Sequence, residues 1–283
     1  MPTFSFYIEH QTSKRQLLFD LGARKDWENH VPHIKTLVSG HVPGIRISEN
    51  VLDIVANGGV NLDGIEALIL SHWHFDHCGA PSQLPKGTRV VVGPRFKESF
   101  LPGYPAREDS PFHEADFKDR EVVEISFDTG LKIGQYQAYD YFADGSLFIL
   151  NVPGHAIGHI SALVRTTPDT FVFLGGDQPF LRPSSGPNSF YADHATSMKS
   201  VDALIEFDAN PNVLIAIAHD PAPLDVFDFF PSTMNNWKAK GWKESSHWGF
   251  LSELPYNGTC VRGQRVDGLY DSKGSKIRGM SIE

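Results

Sequence analysis

Ser71-His72-Trp73-His74-Phe75-Asp76-His77-Cys78-Gly79 follows directly on an apolar run at residues 67–70. In extended chain, side chains two apart share a face, so His72 and His74 project together, and Asp76 and His77 follow as the chain turns. Imidazole and carboxylate donors gathered this closely suit divalent metal ions. The same pattern, an apolar strand ending in a donor, recurs three times along the chain. Residues 147–152 run into Pro153-Gly154-His155, 170–174 into Gly175-Gly176-Asp177, and 213–218 into His219-Asp220. Strand ends along one sheet edge form a crevice, and glycine ahead of the donor lets the backbone approach closely. His72, His74, His77, His155 and His219 with Asp76 and Asp177 exceed what one tetrahedral ion needs. They suit two adjacent ions sharing a carboxylate.

Working outward, short runs rich in β-branched and aromatic residues alternate with Gly/Pro-rich loops, the mark of a layered α/β or α+β fold. Strands are expected at 4–9, 16–20, 67–70, 89–92, 122–125, 131–133, 135–139, 147–152, 161–165, 170–174 and 213–218. Helical periodicity is clearest over 194–207, where Met198, Val201, Leu204 and Ile205 share a face, and weaker over 48–57. The strand-rich halves are expected to meet near Asp140 and to form one domain, residues 1–283, of two packed sheets. Trp237, Trp242 and Trp248 lie in a stretch read as a helix and loop capping the core, and the chain after Gly258 reads as loose.

The 283 residues carry 25 Lys plus Arg against 34 Asp plus Glu, a formal net charge of −9, with no Lys/Arg run. That argues against a nucleic-acid partner, which needs a basic stripe. With 41% apolar and 21% charged residues, a sizeable core can form. Cys78 and Cys260 make no disulfide framework, and Met1-Pro2-Thr3-Phe4-Ser5 has no basic start before an apolar stretch. A cytoplasmic protein is expected. No apolar run approaches the roughly 18 residues that span a bilayer, so no membrane insertion is expected.

H-x-H-x-D-H, then Gly-His, Gly-Asp and a late His, in that order, resembles the metallo-β-lactamase superfamily of hydrolases, over about residues 16–220. The resemblance implies an α/β (α+β) fold, a four-layer αββα sandwich of two mixed β-sheets flanked by helices. Pro153-Gly154-His155-Ala156-Ile157-Gly158-His159, Ala218-His219-Asp220 and Leu18-Phe19-Asp20-Leu21-Gly22 are most similar to N-acyl homoserine lactone lactonases. Carried over, the resemblance implies His72, His74 and His155 on one metal, Asp76, His77 and His219 on the other, and Asp177 bridging. The usual ion is zinc, with iron, manganese or cobalt in some relatives.

Those lactonases commonly carry a tyrosine three residues after the bridging aspartate, where this chain has Phe180. Cys78 is read as packing, and Asp220 and His159 as outer partners of the ligands or as packing. His10, His30, His33, His41, His113, His194 and His247 lack ligand spacing. The expected mechanism is attack of a metal-bridging hydroxide on a carbonyl, with Asp76 passing a proton to the leaving group. Loops beside the site carry Trp27, Phe75, Phe180 and Tyr191, with Phe100, Tyr104 and Phe190, an aromatic set suited to a small cyclic substrate. The overall look is also that of fungal superfamily members, which include detoxifying hydrolases that open benzoxazolinone-type lactam rings. A lactone is the first expected substrate, with a γ-lactam or cyclic carbamate close behind. The alternatives are a thioesterase of the glyoxalase II or acyl-carrier type, and a non-catalytic metal-binding pseudoenzyme.

Overall fold

The computed structural model describes residues 2–177, 189, 191–260, 262–263 and 265–280. Its first sheet has five strands in chain order: β1 (Phe6–Glu9), β2 (Gln16–Phe19), β3 (Ile65–Ile69), β4 (Arg89–Val92) and β5 (Val122–Glu124). β1 and β2 are antiparallel, and the remaining pairs are parallel, with Phe19 opposite Ile69. The second sheet has six strands, β6 (Lys132–Ile133), β7 (Tyr136–Asp140), β8 (Leu147–Asn151), β9 (Ile160–Arg165), β10 (Phe171–Leu174) and β11 (Val213–Ala216), ordered β11-β10-β9-β8-β7-β6. Its pairs are antiparallel except β10 with β11, so both sheets are mixed.

These strands read as unbroken apolar runs because both of their faces are covered. Leu17, Phe19, Ala67 and Ile69 point inward and meet Leu147, Ile149, Val172 and Leu174 of the other sheet. The alternate residues, Leu18, Leu68 and Leu70, point outward onto α2 (Val51–Asn57) and α4 (Phe96–Phe100), through Leu52, Val55, Phe96 and Phe100. On the far side Leu150, Leu163, Phe173 and Ile215 meet Ala203, Leu204 and Phe207 of α6 (His194–Ala209). The layers are therefore αββα, as the sequence led us to expect. The remaining helices are short: α1 (Pro32–His41), α3 (Phe75–Cys78), α5 (Glu114–Phe117), α7 (Pro223–Val226) and α8 (Trp242–Ser246). None of the helices among the described residues is long and apolar enough to cross a membrane.

The termini of α6 are satisfied at both ends. Asp193 accepts from the Thr196 N–H at 3.0 Å, and Lys243 donates to the carbonyls of Asn210 at 2.9 Å and Val213 at 2.7 Å just beyond the helix. Trp237 and Trp242 join the inter-sheet core, as expected of that stretch, whereas Trp248 is exposed and caps nothing among the described residues.

Two expectations are corrected. The halves meet between β5 and β6 rather than near Asp140, because β7 pairs with β8 through Tyr139 and Ile149 and so belongs to the second sheet; Gly130 at φ +75 turns the chain across. Among the described residues after Gly258 the chain is not loose. It forms a hairpin of Gly268–Tyr270 with Lys276–Gly279, whose Leu269 is buried among Val31, Ile34 and Val38.

Candidate metal centre

Four chain segments deliver donors to one edge of the sandwich. After β3 come His72 and His74, and then α3 with Asp76 and His77; His155 follows β8, Asp177 follows β10, and His219 follows β11. Gly154 is required at its position: at φ +121, a Cβ there would lie 2.3 Å from the Ser197 nitrogen at the start of α6. Gly176, at φ +51, leaves no room for a Cβ between His159 and Ser71, and so brings Asp177 in over the ligand segment.

The donors form two groups. His72 Nε2, His74 Nδ1 and His155 Nε2 make a triangle with edges of 3.0, 3.2 and 3.0 Å. Asp177 Oδ2 closes it, 3.0 Å from His155 Nε2 and 3.7 and 3.8 Å from the other two nitrogens. The carboxylate's other oxygen, Oδ1, faces the second group, 2.6 Å from His219 Nε2 and 3.7 Å from His77 Nε2. Those two nitrogens are 3.3 Å apart, and Asp76 Oδ2 lies 3.2 Å from His219. A tetrahedron with metal–ligand bonds of about 2.0–2.1 Å has edges of about 3.4 Å. Three nitrogens converging on one point can share a cation but not three hydrogens, so the residues present fit two divalent ions side by side.

The outer nitrogens are held in different ways. His72 Nδ1 meets Ser71 Oγ at 2.9 Å, His77 Nδ1 donates to Asp20 Oδ2 at 2.8 Å, and His219 Nδ1 donates to the Pro2 carbonyl at 2.8 Å. Asp20 is buried with φ +59, and it also accepts from Ser71 N and Oγ, both at 2.7 Å. It escaped the sequence reading as a site residue. Its signal was the same one, an acid just after an apolar strand.

Charge divides the groups as well. Burial, aided by His77 and His74, pushes His72 well below the usual imidazole range, and burial also lowers His155. Burial would lower His77 too, but Asp20 and Asp177 outweigh it and hold that ring well above. His219 is likewise opposed by burial, yet Asp177 and Asp76 push it up to about 10. Burial would raise Asp177, but the surrounding imidazoles, led by His155 and His219, keep its carboxyl well below the ordinary range.

The family model described as the metallo-beta-lactamase superfamily matches residues 2–219. The chain belongs to that superfamily. It is 35% identical over 307 residues to the gamma-lactamase FDB1 of Fusarium pseudograminearum, covering 89% of this chain and 74% of that one. It is 39% identical over 289 residues to the cytochrome P450 monooxygenase mpaDE of Penicillium roqueforti; that match covers 89% of this chain but 34% of the larger protein, about a third of its length. Among solved structures, a variant of AiiA from B. thuringiensis with N-decanoyl-L-homoserine bound at its active site superposes with a TM-score of 0.60 at 19% identity, covering 82% of this chain and 86% of that one. The likeness to AiiA is one of fold. This member of the metallo-β-lactamase superfamily is a hydrolase.

The aromatic residues expected to line a substrate pocket in this hydrolase separate. Tyr191 is beside the site, its ring edge-on to His155 at 4.9 Å, and burial and Asp177 push its hydroxyl up to about 12. Phe75 lines a pocket with Arg24, His30, Ile34 and Trp73 that includes none of the seven donors. Trp27 does not line the site. It is 4% exposed, packs with Val31 and Ile34, and donates to the Tyr270 carbonyl at 2.8 Å, because α1 and the C-terminal hairpin enclose it. Phe100 is core as well, and Tyr104 packs against the cluster around Trp27. Phe180 and Phe190 lie outside the described residues.

Cys78 packs, with its Sγ 3.4 Å from the His72 carbonyl. His159 is buried edge-on against His72 and His155 and donates from Nδ1 to the Val152 carbonyl at 2.9 Å. Asp220 accepts from the Ala222 N–H in the turn after His219. His10, His30, His33, His41, His113, His194 and His247 are in neither group.

Proposed function

We propose that this hydrolase opens a small cyclic amide or ester, a γ-lactam or a cyclic carbamate such as a benzoxazolinone ahead of a lactone, with two zinc ions as its cofactors. The observation that carries this reading is Asp177, whose two carboxylate oxygens face two different histidine groups. His72, His74 and His155 would hold one ion, Asp76, His77 and His219 the other, and Asp177 both. When bound, two such ions would supply Lewis acidity toward a carbonyl oxygen and toward water.

The chain's own residues supply the rest. Asp76 is opposed by burial but held low by His219 and His77, so its carboxylate stands ready to take a proton and return it to the departing nitrogen or oxygen. Tyr191, protonated at neutral pH, donates a hydrogen bond to the substrate carbonyl in place of the tyrosine that Phe180 replaces. No serine or cysteine nucleophile is required. The lactam class draws support from the relative named gamma-lactamase, which covers most of both chains.

The test is proton release at constant pH from the zinc-loaded protein, against matched γ-lactams, cyclic carbamates, lactones and thioesters, with Asp177→Asn as the blank. Turnover of a cyclic amide or carbamate above the others bears the reading out. Preference for thioesters replaces it with a thioesterase, and inactivity with two ions bound replaces it with a non-catalytic role.

A further inference from the structure

Residues 2–5 lie against His219, which is 217 positions along the chain from Pro2. We propose that residues 2–5 are a strap that positions His219 for the second ion, acting through the backbone carbonyl of Pro2. This rests on the reading above, in which Asp76, His77 and His219 take a metal.

A carbonyl can only accept a hydrogen bond. The 2.8 Å contact therefore places the proton on His219 Nδ1 and leaves Nε2 to face Asp177 and Asp76, which is the tautomer a metal ligand needs. The strap is held independently of that contact. Phe4 N–H donates to the Ala218 carbonyl at 3.2 Å, next to the ligand it serves, and the Phe4 ring stacks on Phe229 at 5.7 Å. Thr3 lies against Gly22, where a Cβ would come within 3.3 Å of the Thr3 hydroxyl and 3.4 Å of its carbonyl.

Gly22 belongs to the turn beside the other histidine of the same group. Leu21 N–H donates to the His77 carbonyl and Gly22 accepts from Gly79 N–H, both at 2.8 Å, while Asp20 holds the His77 ring. The strap thus touches the segment that carries His219 and, through Gly22, the turn that holds His77. Among the described residues no hydrogen bond joins it to His72, His74 or His155, which meet Ser71, Trp73, His159 and Tyr191 instead. Losing it should loosen one ion and spare the other.

The experiment is a zinc titration of the metal-free full chain against a chromophoric chelator, resolving two binding events. It is repeated on a variant lacking residues 2 and 3 but keeping Phe4, and on Pro2→Gly, which retains the carbonyl. The deletion is expected to weaken one event by about ten- to a hundredfold, the usual cost of removing a ligand's outer partner, and to leave the other within about threefold. Pro2→Gly should leave both events within about threefold of the parent. Two unchanged events in the deletion, two events weakened alike, or a Pro2→Gly loss as large as the deletion's would each overturn the strap. A parent chain that takes up a single ion would overturn the two-ion reading itself, and the strap with it.

Discussion

The two histidine groups that Asp177 joins use the same kinds of side chain and are held in opposite electrical states. Burial pushes His72 and His155 down, whereas Asp20, Asp76 and Asp177 outweigh burial and push His77 and His219 up. The first group is a set of lone pairs waiting for an ion. The second sets its imidazoles among carboxylates that favour positive charge there. The difference follows from position: His155 arrives on a loop packed against α6, away from acids other than Asp177, while His77 lies over Asp20 and His219 between Asp76 and Asp177.

The most direct way to break the comparison is to remove the anion common to both groups. Asp177→Asn should lower turnover by about a hundred- to a thousandfold, the range for losing a group that organises charge in a transition state. Zinc content should fall below two per chain. Full activity with two ions bound, measured by proton release and metal analysis, would show that Asp177 bridges nothing.

A change of pH sharpens the comparison without a mutation. Groups whose pKa is raised carry protons that a metal must displace, so affinity at the second group should climb with pH until about 10, where His219 loses its proton unaided. The rise should be about tenfold per pH unit for each proton displaced. The first group, whose His72 and His155 are already neutral at pH 7, should change little between pH 7 and 8. Chelator competition at fixed free zinc checks this, and two binding events with equal pH slopes would erase the distinction.

Asp20→Asn tests what sustains the second group. His77 loses its anionic partner, while the side-chain carbonyl of Asn still accepts from Ser71 N. One zinc event should weaken by about tenfold, the low end for an outer partner, and its pH slope should flatten, because His77 no longer stores a proton. Equal loss at both events would mean that Asp20 supports the fold and not the site.

How much of this was legible in the sequence divides along chemical lines. The clustering of the seven donors was readable because each side chain announces its chemistry and each lies within a few residues of the end of an apolar run. Two packed sheets were readable from the apolar strands, and the four-layer αββα arrangement from the resemblance to the superfamily. The Pro2 carbonyl was not, since a backbone acceptor has no residue signature and its partner is 217 positions away. Trp27 was misplaced because α1 shows only Ile34 and Val38 as its buried face, and the hairpin that completes its enclosure buries little beyond Leu269. An aromatic residue in a loop looks the same in sequence whether it meets a substrate or a late-arriving hairpin.

Tyr191 provides the smallest effect and the finest distinction. Its ring lies against His155 of the first group, and with its hydroxyl pushed up to about 12 it stays protonated at neutral pH and can donate. Tyr191→Phe keeps the edge-on ring contact and deletes only the donor. The loss of one neutral hydrogen bond, about 1 kcal/mol, corresponds to a roughly fivefold fall in kcat. Both zinc affinities should stay as they were, because neither group's ligands have changed. Tyr191→Leu, which removes the ring as well, should add a loss of zinc affinity at the first group, where His155 loses the surface that orients it. If Tyr191→Phe leaves kcat intact while Tyr191→Leu loosens an ion, the residue serves the ligand and not the substrate carbonyl. The donor that replaces the tyrosine absent at Phe180 must then be sought on another loop.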